Sequence, residues 1–136
     1  MENLCKLGKD NKGCDVFSVI LKSEVLQAQV LSFGATLKDL RFNGFEKSLV
    51  LGYQSLEDYF CDKNYAGVTV GRYANRISKG QYYLNTQKYQ LDKKEVFATL
   101  HRASDSCHNS SWEIKDYGYN FVELTYQFND GDMGFG

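Results

Sequence analysis

Apolar and polar residues alternate one for one along two stretches of the chain. Val122, Leu124, Tyr126 and Phe128 interleave with Glu123, Thr125 and Gln127, while Leu26, Ala28 and Val30 interleave with Gln27, Gln29 and Leu31. Side chains of an extended strand point to opposite faces in turn, so this period predicts half-buried antiparallel strands. Between Gln81 and Leu91 two strand-like runs flank Asn85-Thr86-Gln87, which predicts a hairpin, because asparagine tolerates the left-handed backbone that tight turns use. Ser55-Leu56-Glu57-Asp58 has a capping serine and an acidic residue three positions on, the signature of a short helix start, and it is the only helix expected. The pattern as a whole predicts an all-β fold, an antiparallel β-sandwich.

Composition narrows the class. At 136 residues the chain is expected to form one domain, 1–136, and 43% hydrophobic residues with 15% aromatics can supply a core. There is no proline, so turns must be made with Gly, Asn and Asp. A net charge of −1 offers no electrostatic basis for binding nucleic acid or an anionic membrane, and neither is expected as a partner. Residues 1–13 are polar, lack the apolar stretch of a secretory signal, and are expected to form a flexible N-terminal segment. With no apolar run of membrane-spanning length, the expected location is cytoplasmic.

Cys5, Cys14, Cys61 and Cys107 are widely spaced and read as free thiols. A zinc site from Cys107, His108 and His101 fits no common ligand spacing. Asn129-Asp130-Gly131-Asp132 lacks the further oxygen ligands of a calcium loop and reads as a turn. No metal or cofactor is therefore expected.

The candidate chemistry lies in Gly71-Arg72-Tyr73-Ala74-Asn75-Arg76-Ile77, with a histidine at His101. A guanidinium and a carboxamide each offer two hydrogen bonds in a fixed plane, which suits adjacent hydroxyls of a sugar as well as carboxylate or phosphate. Arg72 reads equally as a ligand contact or as a structural ion-pair partner. His101 reads equally as a sugar-facing or a structural residue. Tyr65, Tyr73, Tyr82, Tyr83 and Tyr89 can stack on a pyranose, yet tyrosine in strands more often packs.

The run from Gly71 to Gly80 resembles the Gly-Arg-x-Ala-Asn-Arg-Ile-x-x-Gly hallmark of the aldose 1-epimerase (galactose mutarotase) family, unbroken. Ser32-Phe33-Gly34-Ala35-Thr36-Leu37, Leu49-Val50-Leu51-Gly52-Tyr53, Leu56-Glu57-Asp58-Tyr59, Leu100-His101, Trp112 and Asp130-Gly131-Asp132-Met133-Gly134-Phe135 resemble further family segments in the same order. The resemblance implies the N-terminal part of a galactose mutarotase-like supersandwich, incomplete, covering less than half of a whole family member. It implies an isomerase acting on hexoses, with Asn75, Arg76 and His101 as substrate-binding residues.

Mutarotation needs a base for the C1 hydroxyl proton and an acid for the ring oxygen. In the family the acid is a His in a Thr-Asn-His-x-Tyr-Phe-Asn-Leu motif and the base is a Glu near the C-terminus, and neither motif occurs among the 136 residues. No catalytic residue is therefore assigned, and the chain is expected to be a truncated homologue, inactive alone. Arg102 and Ala103 stand where the family has paired glycines, and Ser106-Cys107-His108-Asn109 replaces its Gly-Phe-Asp-Lys. Weak binding of a monosaccharide such as galactose or glucose is expected, together with self-association or a complementary chain. The alternative is a non-catalytic sugar-binding or protein-interaction β-scaffold.

Overall fold

The computed structural model describes residues 3–91, 97–101 and 107–135. The chain divides into two compact units, one built from Met1–Thr69 and His108–Tyr126, the other from Val70–Cys107 and Gln127–Gly136.

The first unit is organised on a four-stranded antiparallel sheet in the order β1 (Leu4–Lys9), β2 (Asp15–Lys22), β3 (Leu26–Leu31) and β4 (Thr36–Phe42). Sequential antiparallel strands need only short turns between them, so each strand pairs with the next along the chain. The first strand lies inside the segment expected to be flexible. Leu4 pairs with Val19 and Lys9 with Asp15, and the ladder is interrupted by a bulge between Lys6 and Gly8. Register shifts also between Gln29 and Val30 against β4. Val16, Leu31, Phe33 and Tyr59 form the buried core, with Tyr53, Leu56 and Phe60 packed on it.

Tyr59 reaches this core from α1 (Leu56–Phe60), which begins as expected: Ser55 Oγ accepts a hydrogen bond from the Asp58 backbone N–H at 3.2 Å. Among the described residues α1 is the one α-helix, and two single 3₁₀ turns, Cys107–Asn109 and Asp132–Gly134, add to the helical content expected. The second begins at the last residue of the predicted Asn129–Asp132 turn and holds Met133 at a left-handed φ of 58°; the turn itself closes with the Asp132 N–H donating to the Asn129 carbonyl at 3.2 Å and Asp132 Oδ2 accepting from the Asn129 N–H at 2.8 Å.

Gly34 makes the close approach on which this unit depends. Its φ is +65°, and a Cβ there would lie 2.6 Å from the His108 carbonyl oxygen, so only glycine fits without displacement. Its N–H donates to the Ser110 carbonyl at 2.9 Å, and the Trp112 N–H donates to the Ser32 carbonyl at 2.9 Å. These bonds tie residues 110–112 to the β3–β4 turn. Beyond them β9 (Glu113–Tyr117) pairs antiparallel with β10 (Val122–Thr125), which carries the alternating stripe seen in the sequence. The ladder ends at Thr125, short of the predicted Phe128, whose ring meets the Arg72 guanidinium instead.

The second unit contains short strands. β5 (Arg76–Ser78) pairs with β8 (Ala98–Leu100), and β6 (Gln81–Leu84) pairs with β7 (Gln87–Gln90). The β6–β7 hairpin closes on Asn85 and Thr86, with Asn85 at φ 55°, as the turn chemistry predicts. Tyr82 and Tyr89 face each other across it, rings stacked with centroids 5.0 Å apart. Every ladder in both units is antiparallel.

Candidate functional site

The three residues singled out from sequence meet in the second unit, and strand register is what joins them. Because Arg76 pairs with Leu100 in the β5–β8 ladder, the preceding Asn75 falls opposite the following His101. The two residues exchange hydrogen bonds: the His101 N–H donates to the Asn75 carbonyl at 2.8 Å, and the Asn75 N–H donates to His101 Nδ1 at 2.8 Å. Both have left-handed backbone, φ 70° for Asn75 and 54° for His101, and asparagine and histidine are among the residues that adopt it most readily.

A backbone amide can only donate, so Nδ1 of His101 is the unprotonated ring nitrogen. In the neutral imidazole the proton is then on Nε2, which makes that nitrogen a hydrogen-bond donor. Arg76 supplies a fork of donors from the adjacent position and is exposed. Both groups can donate to ligand oxygens.

Arg76 lines a cleft of about 460 Å³ with Arg72, Tyr73, Ile77, Ser78, Tyr82 and Phe135. The start of the motif is held from behind. Gly71 lies against the buried Cys107, whose Sγ is 3.8 Å from the Gly71 carbonyl oxygen. Arg72 donates from Nη2 to the Asn129 carbonyl at 2.6 Å, and its guanidinium lies 4.9 Å from the Phe128 ring centroid and 5.5 Å from that of Phe135. Arg72 is thus bound to a backbone carbonyl and two aromatic faces, where an ion pair was one of the two readings; each cation–π contact adds about 0.5–1 kcal/mol at such partly exposed positions. The end of the motif is equally constrained, since a Cβ on Gly80, at φ +61°, would meet Thr99 Oγ1 at 2.8 Å.

The tyrosines divide. Tyr82 packs on Tyr89 and on Phe135, 5.8 Å between centroids in the latter pair. Tyr65 packs beside His108, whose side chain is buried in the first unit. Tyr73 and Tyr83 are exposed, and Tyr73 borders the cleft. Arg102, Ala103 and Ser106, the departures from the resembled pattern, lie outside the described residues. All four cysteines are free, and among the described residues no group of His, Cys, Asp and Glu is placed to hold a metal ion. Among them, too, no helix is long and apolar enough to cross a membrane.

Sequence reasoning missed a polar anchor in the first unit. The buried Asp10 carboxylate accepts from the backbone N–H groups of Lys12 and Cys14, both at 2.9 Å, and from the Ser111 hydroxyl at 2.7 Å and N–H at 3.3 Å. Burial pushes the Asp10 carboxyl up, but the hydrogen bonds from Ser111, Cys14 and Lys12 together outweigh it and hold it below the usual aspartate value. The local signal was present: Asp10-Asn11-Lys12-Gly13 is a run of turn-forming residues in which an aspartate side chain caps its own turn. Nothing local pointed to Ser111, 101 residues away.

The chain is similar to known proteins of one family. The aldose 1-epimerase family profile matches residues 18–136. An uncharacterized isomerase of Saccharomyces cerevisiae is 41% identical over 97 residues, 71% of this chain and 26% of the relative. The galactose mutarotase of Bos taurus is 31% identical over 118 residues, 85% of this chain and 34% of the relative. A crystal structure of galactose 1-epimerase from Lactobacillus acidophilus NCFM superposes with a TM-score of 0.82 at 26% identity, covering 96% of this chain and 39% of that one. The chain therefore spans about a third of the relatives it matches, carries the fold seen in that epimerase, and belongs to the aldose 1-epimerase family.

Proposed function

We propose that this chain provides the sugar-positioning part of an aldose 1-epimerase site, binding a neutral hexose such as galactose or glucose through Asn75, Arg76 and His101. The observation that carries the reading is the reciprocal backbone and imidazole pairing of Asn75 with His101 at 2.8 Å, which joins His101 to the residue before Arg76 across 26 positions of the chain. Arg76 and the Nε2–H of His101 then present donors to ring and hydroxyl oxygens. Ring opening breaks the bond between C1 and the ring oxygen while a base takes the C1 hydroxyl proton and an acid protonates the ring oxygen; reclosure on the other face returns both protons. Within residues 1–136 no side chain is assigned to either proton transfer. The isolated chain is accordingly a binder and not a catalyst, acting in carbohydrate metabolism, with the cytoplasm as its location.

Binding is weak, in the millimolar range, which corresponds to about 4 kcal/mol. NMR titration of the ¹⁵N-labelled chain with galactose and glucose tests it: saturable shifts centred on Asn75, Arg76 and His101 are expected, and a flat titration ends the reading. Polarimetry on freshly dissolved α-galactose tests the second half, with no protein-dependent acceleration expected.

A second part of the proposal concerns assembly. Leu51, Phe97, Tyr119, Tyr83 and Phe45 are exposed apolar side chains, and where such side chains form a contiguous patch they favour association. The chain is proposed to self-associate or to take a complementary chain, and sedimentation across a dilution series should show a mass that rises with concentration.

A further inference from the structure

We propose that Arg72 is a positioning residue for Arg76, acting through a clamp formed by Phe128, Asn129 and Phe135; the role rests on the reading that Asn75, Arg76 and His101 bind sugar. The segment Tyr73-Ala74-Asn75 is exposed throughout, so no apolar burial fixes its place, and it leads directly into Arg76, the first residue of β5, whose backbone is laddered to Leu100. An exposed loop without packing is a low-stability element, ordered only as far as its ends are held. Here both ends are held, by different chemistry. At the far end Asn75 is paired to His101. At the near end Arg72 is the anchor, with one short hydrogen bond at 2.6 Å to the Asn129 carbonyl and two aromatic rings within 5.5 Å of its guanidinium carbon.

The clamp is itself rigidly placed. Phe135 is buried and packs on Tyr82. Gly134 just before it approaches the Gln90 carbonyl so closely that no Cβ fits, and its φ of +83° also requires glycine. The planar guanidinium can bond in its plane to Asn129 while its faces meet aromatic rings, a combination that a lysine ammonium cannot supply. Arg72 and Phe135 form walls of the same cleft that Arg76 enters, so releasing the clamp frees the loop and opens the cleft together. Two arginines of one motif thus have separate tasks: Arg76 touches the ligand and Arg72 sets where Arg76 stands.

The test is amide hydrogen exchange on the whole chain, free and with galactose, for wild type, Arg72→Lys and Phe128→Leu. Exchange at Asn75 and His101 should speed about tenfold in either variant, with amides of the β6–β7 hairpin and of β2 and β3 unchanged, as expected for local opening. A purely structural role would instead raise exchange across the hairpin as well. Galactose affinity should fall by about tenfold in parallel with the exchange change. Phe128→Leu keeps the arginine and weakens the clamp from the other side, so it decides the matter if Arg72→Lys does not fold. Unchanged exchange at Asn75 and His101 in a folded variant overturns the proposal, as does acceleration spread over the whole unit. If wild type shows no galactose binding, the sugar-site reading falls, while the exchange comparison still decides whether Arg72 holds the loop.

Discussion

The two units of this chain solve opposite problems. In the first, a sheet of four strands of six to eight residues, with the β3–β4 turn and α1, builds a buried cluster of Val16, Leu31, Phe33 and Tyr59, and the buried Asp10 carboxylate closes a turn. In the second, strands of three or four residues present an exposed motif whose position depends on individual polar and aromatic contacts. Apolar burial gives stability without direction, whereas a hydrogen bond or a stacked guanidinium gives direction with little stability. On the proposed reading, donors that meet a hydrophilic ligand must stay accessible, as the exposed Asn75 and Arg76 do. The first unit should therefore respond to substitution mainly in stability, and the loop of the second mainly in binding.

The largest expected effect tests that division in the core. Leu31 is fully buried on β3 against Val16 and Phe33. Leu31→Ala should cost about 3–4 kcal/mol, from lost transfer energy plus the cavity left behind. Urea denaturation should show the drop in midpoint. A change of under about 1 kcal/mol, outside the range for a buried leucine, would mean that the cluster is not the core of this unit.

Asp10 comes next. Asp10→Ala removes the acceptor shared by Lys12, Cys14 and Ser111, but Lys12 and Cys14 are exposed and their N–H groups can turn to water, so a loss of about 1–2 kcal/mol, that of a lost cap, is expected. The same group predicts a pH dependence. Its carboxyl is held below its unfolded value near 3.9, so its stabilisation is complete above that value and is lost as pH falls through the lower folded one. Asp39 and Asp62 are depressed too, Asp39 by the Ser48 hydroxyl first, and Asp62 despite burial by bonds from Asn64, Tyr53 and Ala66. Wild-type stability should thus decline below about pH 4, and Asp10→Asn should flatten part of that decline. An identical acid profile in the variant would remove Asp10 from the account.

Features of the two units were unequally visible in the sequence. Alternation placed β3 and the stripe of β10, because a half-buried strand writes its two faces directly into residue order. Ser55 and Asn85 were readable for the same kind of reason: capping and left-handed turns depend on neighbours within three residues. β1 was missed, since its edge position leaves most of its side chains exposed and its sequence looks like a polar tail. The meeting of Asn75 and Arg76 with His101 came from family resemblance; no periodicity encodes a pairing across 25 residues. Arg72's clamp was beyond reach, because Phe128 and Phe135 look like ordinary core residues until the fold brings them to a guanidinium.

The contrast sharpens at the loop. Arg76→Ala should reduce galactose affinity at least about tenfold, the loss of one charge-assisted fork, while leaving stability within about 0.5 kcal/mol, as for other exposed substitutions. Titration and denaturation on the same sample decide it. If binding persisted and stability fell instead, Arg76 would belong with the structural residues, and the separation of tasks between the units would fail.

The smallest effect concerns the hairpin, the part of the second unit that is neither core nor loop. Asn85 sits at φ 55° in the two-residue turn joining β6 to β7. A β-branched side chain there brings its Cβ against the neighbouring carbonyl, so Asn85→Val should cost about 1 kcal/mol, the lower end of the left-handed penalty for such residues. Asn85→Gly removes the Cβ conflict but frees the unfolded chain, and the two terms nearly cancel, leaving the change within about 0.5 kcal/mol. Hydrogen exchange at the Tyr82 and Tyr89 pair should speed in Asn85→Val and stay unchanged in Asn85→Gly. Galactose shifts at Asn75 and Arg76 should be the same in both. If Asn85→Val also weakened galactose binding, the hairpin and the loop would be one cooperative element, and the local pins at Arg72 and Asn75 would not be what orders the site.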